Sequence, residues 1–147
     1  MTTPRLVCLS PRWLGSRETM EVARGFAASV RGFGQLRDLR DRLTTWMSAS
    51  GVDEVTQADL ALAVHEVATN GIEASPSDEV AIEADRPTEV VRVVVTNEGE
   101  PFGGVPGPKD PTSARGRGLD IAAALTDSVT FDPSERGTAV TLTKRVR

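Results

Sequence analysis

The chain has 147 residues, of which 39% are hydrophobic and 26% charged, and its formal net charge at pH 7 is −4. This length fits one domain with an adequate core, and the composition excludes a disordered chain, a membrane-spanning helix and a broad basic surface for nucleic acid. Cys8 is the only cysteine, so an intramolecular disulfide is excluded, and we expect a cytoplasmic protein that contacts neither membrane nor nucleic acid.

Residues 1–24 carry no readable motif, and we treat them as an N-terminal extension to a domain at residues 25–147. The start of the domain has two interpretations, a helix over residues 19–28 or an edge strand over residues 26–30. Glycines recur at positions 25, 32 and 34, and this spacing argues against a long helix.

Two helices are predicted next. Apolar residues recur at three-four spacing from Leu36 to Met47, which predicts an amphipathic helix over residues 36–49 that Gly51 ends. A second helix begins near Asp53 or Thr56 and runs to about residue 74. Its apolar stripe predicts that it packs against a core, and the stripe consists of Leu60, Ala63, Val64 and Val67.

Glu66 and Asn70 lie one turn apart on this second helix, so they share a face beside the apolar stripe. A carboxylate beside a carboxamide is able to serve as a base and a metal ligand. The alternative is a solvated glutamate and a helix-terminal asparagine before Gly71. His65 does not complete a zinc motif, because position 69 is threonine and no second histidine exists in the chain.

The second half of the chain alternates strands with one helix. Residues 79–84 and 90–96 are predicted to pair antiparallel across a turn, and the valine run of the second strand predicts burial on both faces. Ten of the twenty residues at 99–118 are Gly or Pro, which predicts a long segment without regular structure. A helix over residues 118–127 and a hairpin of residues 128–132 and 138–144 follow. These elements predict an α/β two-layer sandwich, in which a mixed, largely antiparallel sheet carries helices on one face.

Four short motifs stand in a fixed order along this framework: the Glu66/Asn70 helix, Asn97-Glu98-Gly99, the Gly-Arg-Gly at 116–118, and Gly137-Thr138. In this order, over about residues 25–147, the chain resembles the GHKL ATPase superfamily with its Bergerat ATP-binding fold. Within it, the chain is most similar to the small anti-sigma-factor serine/threonine protein kinases. The resemblance favours the strand over residues 26–30 and implies that the Gly/Pro-rich segment is an ATP lid.

The resemblance implies Mg-ATP binding and assigns the chemistry to three side chains. Asn70 is the implied Mg²⁺ ligand, in keeping with the preference of this ion for oxygen ligands. Glu66 is the implied catalytic general base. Asn97 stands where the family has an aspartate that accepts a hydrogen bond from the adenine amino group. An amide oxygen also accepts that bond, but without charge assistance.

The remaining implied nucleotide contacts come from small residues and one cation. Gly99 is expected to form the floor of the adenine pocket, and Thr138 is expected to contact adenine directly or through water. Gly116 and Gly118 would let the backbone approach phosphate oxygens at a helix N-terminus, and Arg117 would add positive charge.

Three functional hypotheses follow from the resemblance. The first is an anti-sigma factor that phosphorylates a serine or threonine of an anti-anti-sigma protein while it sequesters a sigma factor, acting as a homodimer. The second is a non-catalytic binding module of the same fold that sequesters a transcription regulator with weak or no ATP turnover. The third, a detached histidine kinase catalytic domain, ranks last because the only histidine, His65, lies in the nucleotide helix itself.

Overall fold

The structure is a computed structural model that describes residues 25–98, 114–135 and 137–147. These parts of the chain form five strands and three α-helices, and a short 3-10 helix, Phe33–Gln35, precedes the first of them. In chain order the elements are β1 (Gly25–Arg31), α1 (Leu36–Ala49), α2 (Glu54–Ala74), β2 (Glu79–Asp85), β3 (Val90–Glu98), α3 (Ala114–Leu125), β4 (Ser128–Ser134) and β5 (Gly137–Arg145).

The strands form one sheet in the order β1-β2-β3-β5-β4. The predicted α/β fold with helices on one face is confirmed, and all four pairings among the described strands are antiparallel, so the sheet is less mixed than expected. The core lies between the helices and one face of the sheet. Its largest fully buried side chains are Leu39, Leu43, Met47, Leu60, Ile72, Ile82, Leu142, Val64, Val67, Val80 and Val91.

The prediction that β3 is buried on both faces is wrong. Val91, Val93 and Val95 are buried toward the helices, whereas Arg92 and Thr96 on the other face are exposed. None of the described helices covers that second face, so its valines are only half-buried by neighbouring strands. A run of valines reflects strand propensity as much as burial.

Some element boundaries match the predictions and others differ. The strand β1 confirms the strand interpretation of residues 26–30, and α1 has the predicted bounds. The strand β3 extends to Glu98, which places Asn97 inside the strand rather than after it. The helix α3 begins four residues before the predicted start at Gly118. Residues 1–24 and most of the predicted lid lie outside the described residues. Within residues 25–98, 114–135 and 137–147, no helix is long and apolar enough to cross a membrane.

The helix α2 begins at a side-chain cap. Asp53 precedes the helix in an extended conformation, and its carboxylate accepts the Thr56 backbone N–H at 3.0 Å, which satisfies one of the donors left free at a helix start. The second carboxylate oxygen accepts the backbone N–H of Arg147 at 3.0 Å. The hydrogen bonds from Thr56 lower the pKa of Asp53 from its ordinary value of 3.8 to about 2.

This lowered pKa predicts how Asp53→Asn affects stability. Because the folded protein holds the carboxylate ionised, its contribution is present above pH 3.8 and is lost as the pH falls through about 2. Asparagine keeps the cap but loses the charge. We therefore expect thermal melts to show a lower Tm for Asp53→Asn at pH 6 and no difference from the wild type below about pH 2. An equal deficit at both pH values would contradict this role of the charge.

Candidate functional site

The polar face of α2 supplies two of the predicted site residues. The apolar stripe of the helix is buried, which confirms its predicted packing against the core. Beside it Asn70 is 4% exposed, and Glu66, one turn earlier, is half-buried. The helix continues to Ala74, so Asn70 does not end it. A buried amide and a half-buried carboxylate thus lie side by side at the edge of the core.

Gly71 brings this part of α2 against the sheet. An ideal Cβ at Gly71 would lie 2.7 Å from Val80 Cγ1 and 3.5 Å from Asn97 Cβ, so no larger residue fits without a shift of the core. The close approach places Asn70, its neighbour in the chain, beside the end of β3. The sequence pattern indicates no role for Gly71 beyond a possible helix end, and the structure shows a packing reason for a glycine inside this helix.

Asn97 and Thr138 face each other across β3 and β5. They are register partners in the antiparallel pair, and they are 3% and 1% exposed respectively. Both lie on the helix side of the sheet, in line with the buried Val95 and Val140. The Asn97 side-chain N–H donates to the Glu98 carbonyl oxygen at 3.3 Å. This bond uses one of the two N–H groups of the amide.

Gly137 allows β5 to begin at this point. An ideal Cβ at Gly137 would lie 1.9 Å from the Asn97 carbonyl oxygen and 2.8 Å from Glu98 Cα, both backbone atoms of β3. Only a residue without a side chain fits so close to a neighbouring backbone. The predicted Gly-Thr motif therefore has a structural basis, because Gly137 permits the pairing that sets Thr138 opposite Asn97.

The helix α3 completes the group. Gly118 is buried, and an ideal Cβ there would lie 2.8 Å from Glu66 Oε1 and 3.8 Å from Asn70 Nδ2. Gly118 is the fifth residue of α3, so the helix start and its free N–H groups belong to residues 114–117. Gly116 and Arg117 are in that first turn, but their side-chain surroundings lie outside the described residues, as does all of Gly99.

The structure thus brings together five of the predicted site residues from four elements. Glu66, Asn70 and Gly118 form one group between α2 and α3, and Asn97 with Thr138 forms a second at the adjoining end of the sheet. Gly71, which follows Asn70 and packs on Asn97, joins the two. Among the described residues no three His, Cys, Asp or Glu side chains converge to hold a metal ion. A Mg²⁺ ion at this place would therefore take most of its ligands from phosphate and water, which is its usual mode in nucleotide sites.

Comparisons with known proteins agree with this architecture. The family model of the histidine kinase-like ATPase domain matches residues 31–144. The crystal structure of the RsbU and RsbW domains of Rv1364c from Mycobacterium tuberculosis matches with a TM-score of 0.62 at 22% identity, covering 82% of this chain and 32% of that one. This chain thus spans about a third of the length of that structure, and the likeness shows the fold alone. The comparison with curated proteins found no match.

Proposed function

Because this chain belongs to the histidine kinase-like ATPase domain family, we propose that it binds Mg-ATP between α2, α3 and the adjoining ends of β3 and β5. We further propose that it transfers the γ-phosphoryl group to a serine or threonine of an anti-anti-sigma protein and sequesters a sigma factor. Its motifs resemble those of the anti-sigma kinases, and the matching structure includes a domain named RsbW. In this proposal residues 25–147 are the nucleotide-binding domain, and the protein forms a homodimer in the cytoplasm.

The observation that carries this proposal is the contact of Gly118 with the Glu66/Asn70 face of α2, beside the Asn97–Thr138 pair. Motifs separated by dozens of residues meet at one end of the sheet. A polar face with one carboxylate, one buried amide and a helix start nearby suits a polyanion with a metal ion. The buried Asn97 and Thr138 are polar groups in a largely apolar setting, which suits a nucleobase.

Each side chain has a definite task in the proposed reaction. The substrate hydroxyl oxygen attacks the γ-phosphorus while the bond to the β-phosphate oxygen breaks, and Glu66 accepts the hydroxyl proton. The Asn70 oxygen would hold Mg²⁺, which when bound neutralises phosphate charge. Asn97 and Thr138 would bind the nucleobase. As predicted from the motifs, Gly99 would form the floor of the adenine pocket, and Gly116 and Arg117 would contact the phosphates.

Transfer to a partner protein is the test of the kinase proposal. The purified protein is incubated with γ-labelled ATP, Mg²⁺ and a candidate anti-anti-sigma protein, and a parallel sample contains the same partner with its acceptor serine or threonine changed to alanine. We expect label on the first partner and none on the second. Stable partner binding without label would contradict the kinase proposal and favour the alternative.

That alternative, a non-catalytic module that sequesters a regulator, is favoured by one observation. Asn97 replaces the family's aspartate, and its amide N–H is bonded within the protein to the Glu98 carbonyl. A neutral acceptor gives a weaker hydrogen bond to the base than a carboxylate does. Weak nucleotide binding with tight regulator binding is the result that this alternative predicts.

The Asn70→Ala substitution tests the metal ligand. We expect the Kd for Mg-ATP to rise about tenfold or more, with little change for ATP in the presence of a chelator, because only the metal complex uses the Asn70 oxygen. Calorimetric titration with and without Mg²⁺ measures both. Asn97→Ala is the matched control, since loss of a contact with the nucleobase should weaken the binding of ATP equally with and without Mg²⁺. Equal weakening by Asn70→Ala as well would show that Asn70 has only a structural role.

A further inference from the structure

Atoms of α2 occupy the space in which a side chain at position 118 would lie. An ideal Cβ on Gly118 would lie 2.8 Å from Glu66 Oε1, 3.6 Å from Glu66 Cβ and 3.8 Å from Asn70 Nδ2. The first distance is shorter than van der Waals contact, so a methyl group and the present position of the carboxylate exclude each other. Because Gly118 has no side chain, the carboxylate of Glu66 is able to occupy this space.

Both sides of this contact are anchored in the core. Leu119, next to Gly118, is 3% exposed, and Ala122, one turn further, is fully buried. On α2 the neighbours Ala63 and Val67 of the Glu66 turn are also buried. The helices hold their spacing through these apolar contacts, so the carboxylate of Glu66 is the part of the contact that is free to move.

Helix propensity does not account for a glycine at position 118. As the fifth residue of α3, Gly118 is past the first turn, where alanine is the better helix former. Its N–H is also past the four that a helix start leaves free. Neither helix propensity nor a free N–H at the helix start explains a glycine at position 118, whereas the close approach of Glu66 does.

We infer that Gly118 is a positioning residue for Glu66: by lacking a side chain it admits the carboxylate to the place from which it acts. The chemical part of this inference rests on the proposed function, in which Glu66 is the base. The physical part, the contact itself, does not. The methyl group of an alanine at position 118 is too close only to Glu66 Oε1, the far end of a flexible side chain, so we expect Gly118→Ala to displace the carboxylate and still fold.

The contact is tested first without nucleotide, by thermal melts of the wild type, Gly118→Ala, Glu66→Ala and the double variant. With Glu66 truncated, the added methyl meets no carboxylate, and the gain in helix propensity should raise the Tm by about 2–4 °C. With Glu66 present, Gly118→Ala should leave the Tm unchanged or lower it. The same Tm shift in both backgrounds would overturn the inference, because the two residues would then not interact.

The consequence for chemistry is tested by the separation of kcat from KM. Gly118→Ala should lower kcat for phosphoryl transfer by about 100-fold, since a base displaced by about 1 Å loses that much, while the KM for ATP stays within about twofold. In a Glu66→Gln background Gly118→Ala should cause no further loss. A KM raised about tenfold or more at unchanged kcat would overturn the inference and assign Gly118 to the phosphates. If the wild type binds no ATP, the proposed function fails, and the melting experiment still decides whether Gly118 fixes Glu66.

Discussion

The Glu66→Gln variant should lose about 10²–10⁴-fold of its phosphoryl transfer rate while it folds and binds nucleotide nearly as the wild type does. Glutamine has the same size and fits the same contact with Gly118, but it is unable to accept the hydroxyl proton. The measurement is the initial rate of label transfer from γ-labelled ATP to the partner protein, together with the Kd for ATP from calorimetry. A change in rate without a change in Kd is the expected signature of a base.

Glu83→Gln is the matched control for this substitution. Glu83 is an exposed glutamate on β2, on the face of the sheet away from the helices, so the same chemical change there should leave the rate unaltered. An unchanged rate in Glu66→Gln would remove Glu66 from the mechanism. A rate that falls together with nucleotide affinity would instead indicate a binding role for the carboxylate.

The second large effect is expected for Gly137→Ala. A methyl group there would lie 1.9 Å from the Asn97 carbonyl oxygen, and because that atom is backbone, relief requires β5 to separate from β3. An extra methyl group in a well-packed core typically costs about 1–3 kcal/mol, and because the atom met here is backbone we expect a cost at or above the upper end, about 3 kcal/mol or more. In a chain of this size this corresponds to a fall in Tm of roughly 10 °C.

Gly25→Ala provides the control, because Gly25 is also the first residue of a strand. An ideal Cβ at Gly25 meets its nearest atom, the Ala84 carbonyl oxygen, at 3.9 Å, which is ordinary contact. Its Tm should stay close to that of the wild type. Gly137→Ala should also weaken ATP binding, since the pairing of Asn97 with Thr138 depends on the same approach. Equal melting temperatures for the two variants would show that β5 adjusts at no cost.

Local signals predicted the helices of the first half of the chain well. The three-four apolar spacing of α1 and the glycine that follows it determine the helix within its own sequence. Asp53 likewise caps α2 through a bond to a residue only three positions away. Such features are readable because the interacting groups are close along the chain.

The features that were missed depend on contacts distant in sequence. Glycine spacing placed the start of α3 at residue 118, yet the helix begins at Ala114, with Leu119 and Ala122 buried in the core. Asn97 and Thr138 are register partners although their residue numbers differ by 41. The close approaches at Gly71 and Gly137 likewise arise only when α2 and β5 meet the sheet.

The most direct test of nucleotide binding at this site is calorimetric titration of the wild type and Asn97→Ala with ATP and with GTP, in the presence of Mg²⁺. The Asn97 amide oxygen is able to accept a hydrogen bond from the six-amino group of adenine, whereas the six-oxygen of guanine has no hydrogen to donate to it. One of the two amide N–H groups is already bonded to the Glu98 carbonyl. We predict one site in the wild type with ATP bound about fivefold or more tightly than GTP, and loss of this preference in Asn97→Ala. Absence of binding to the wild type, or an equal affinity for ATP and GTP in both proteins, would contradict the account.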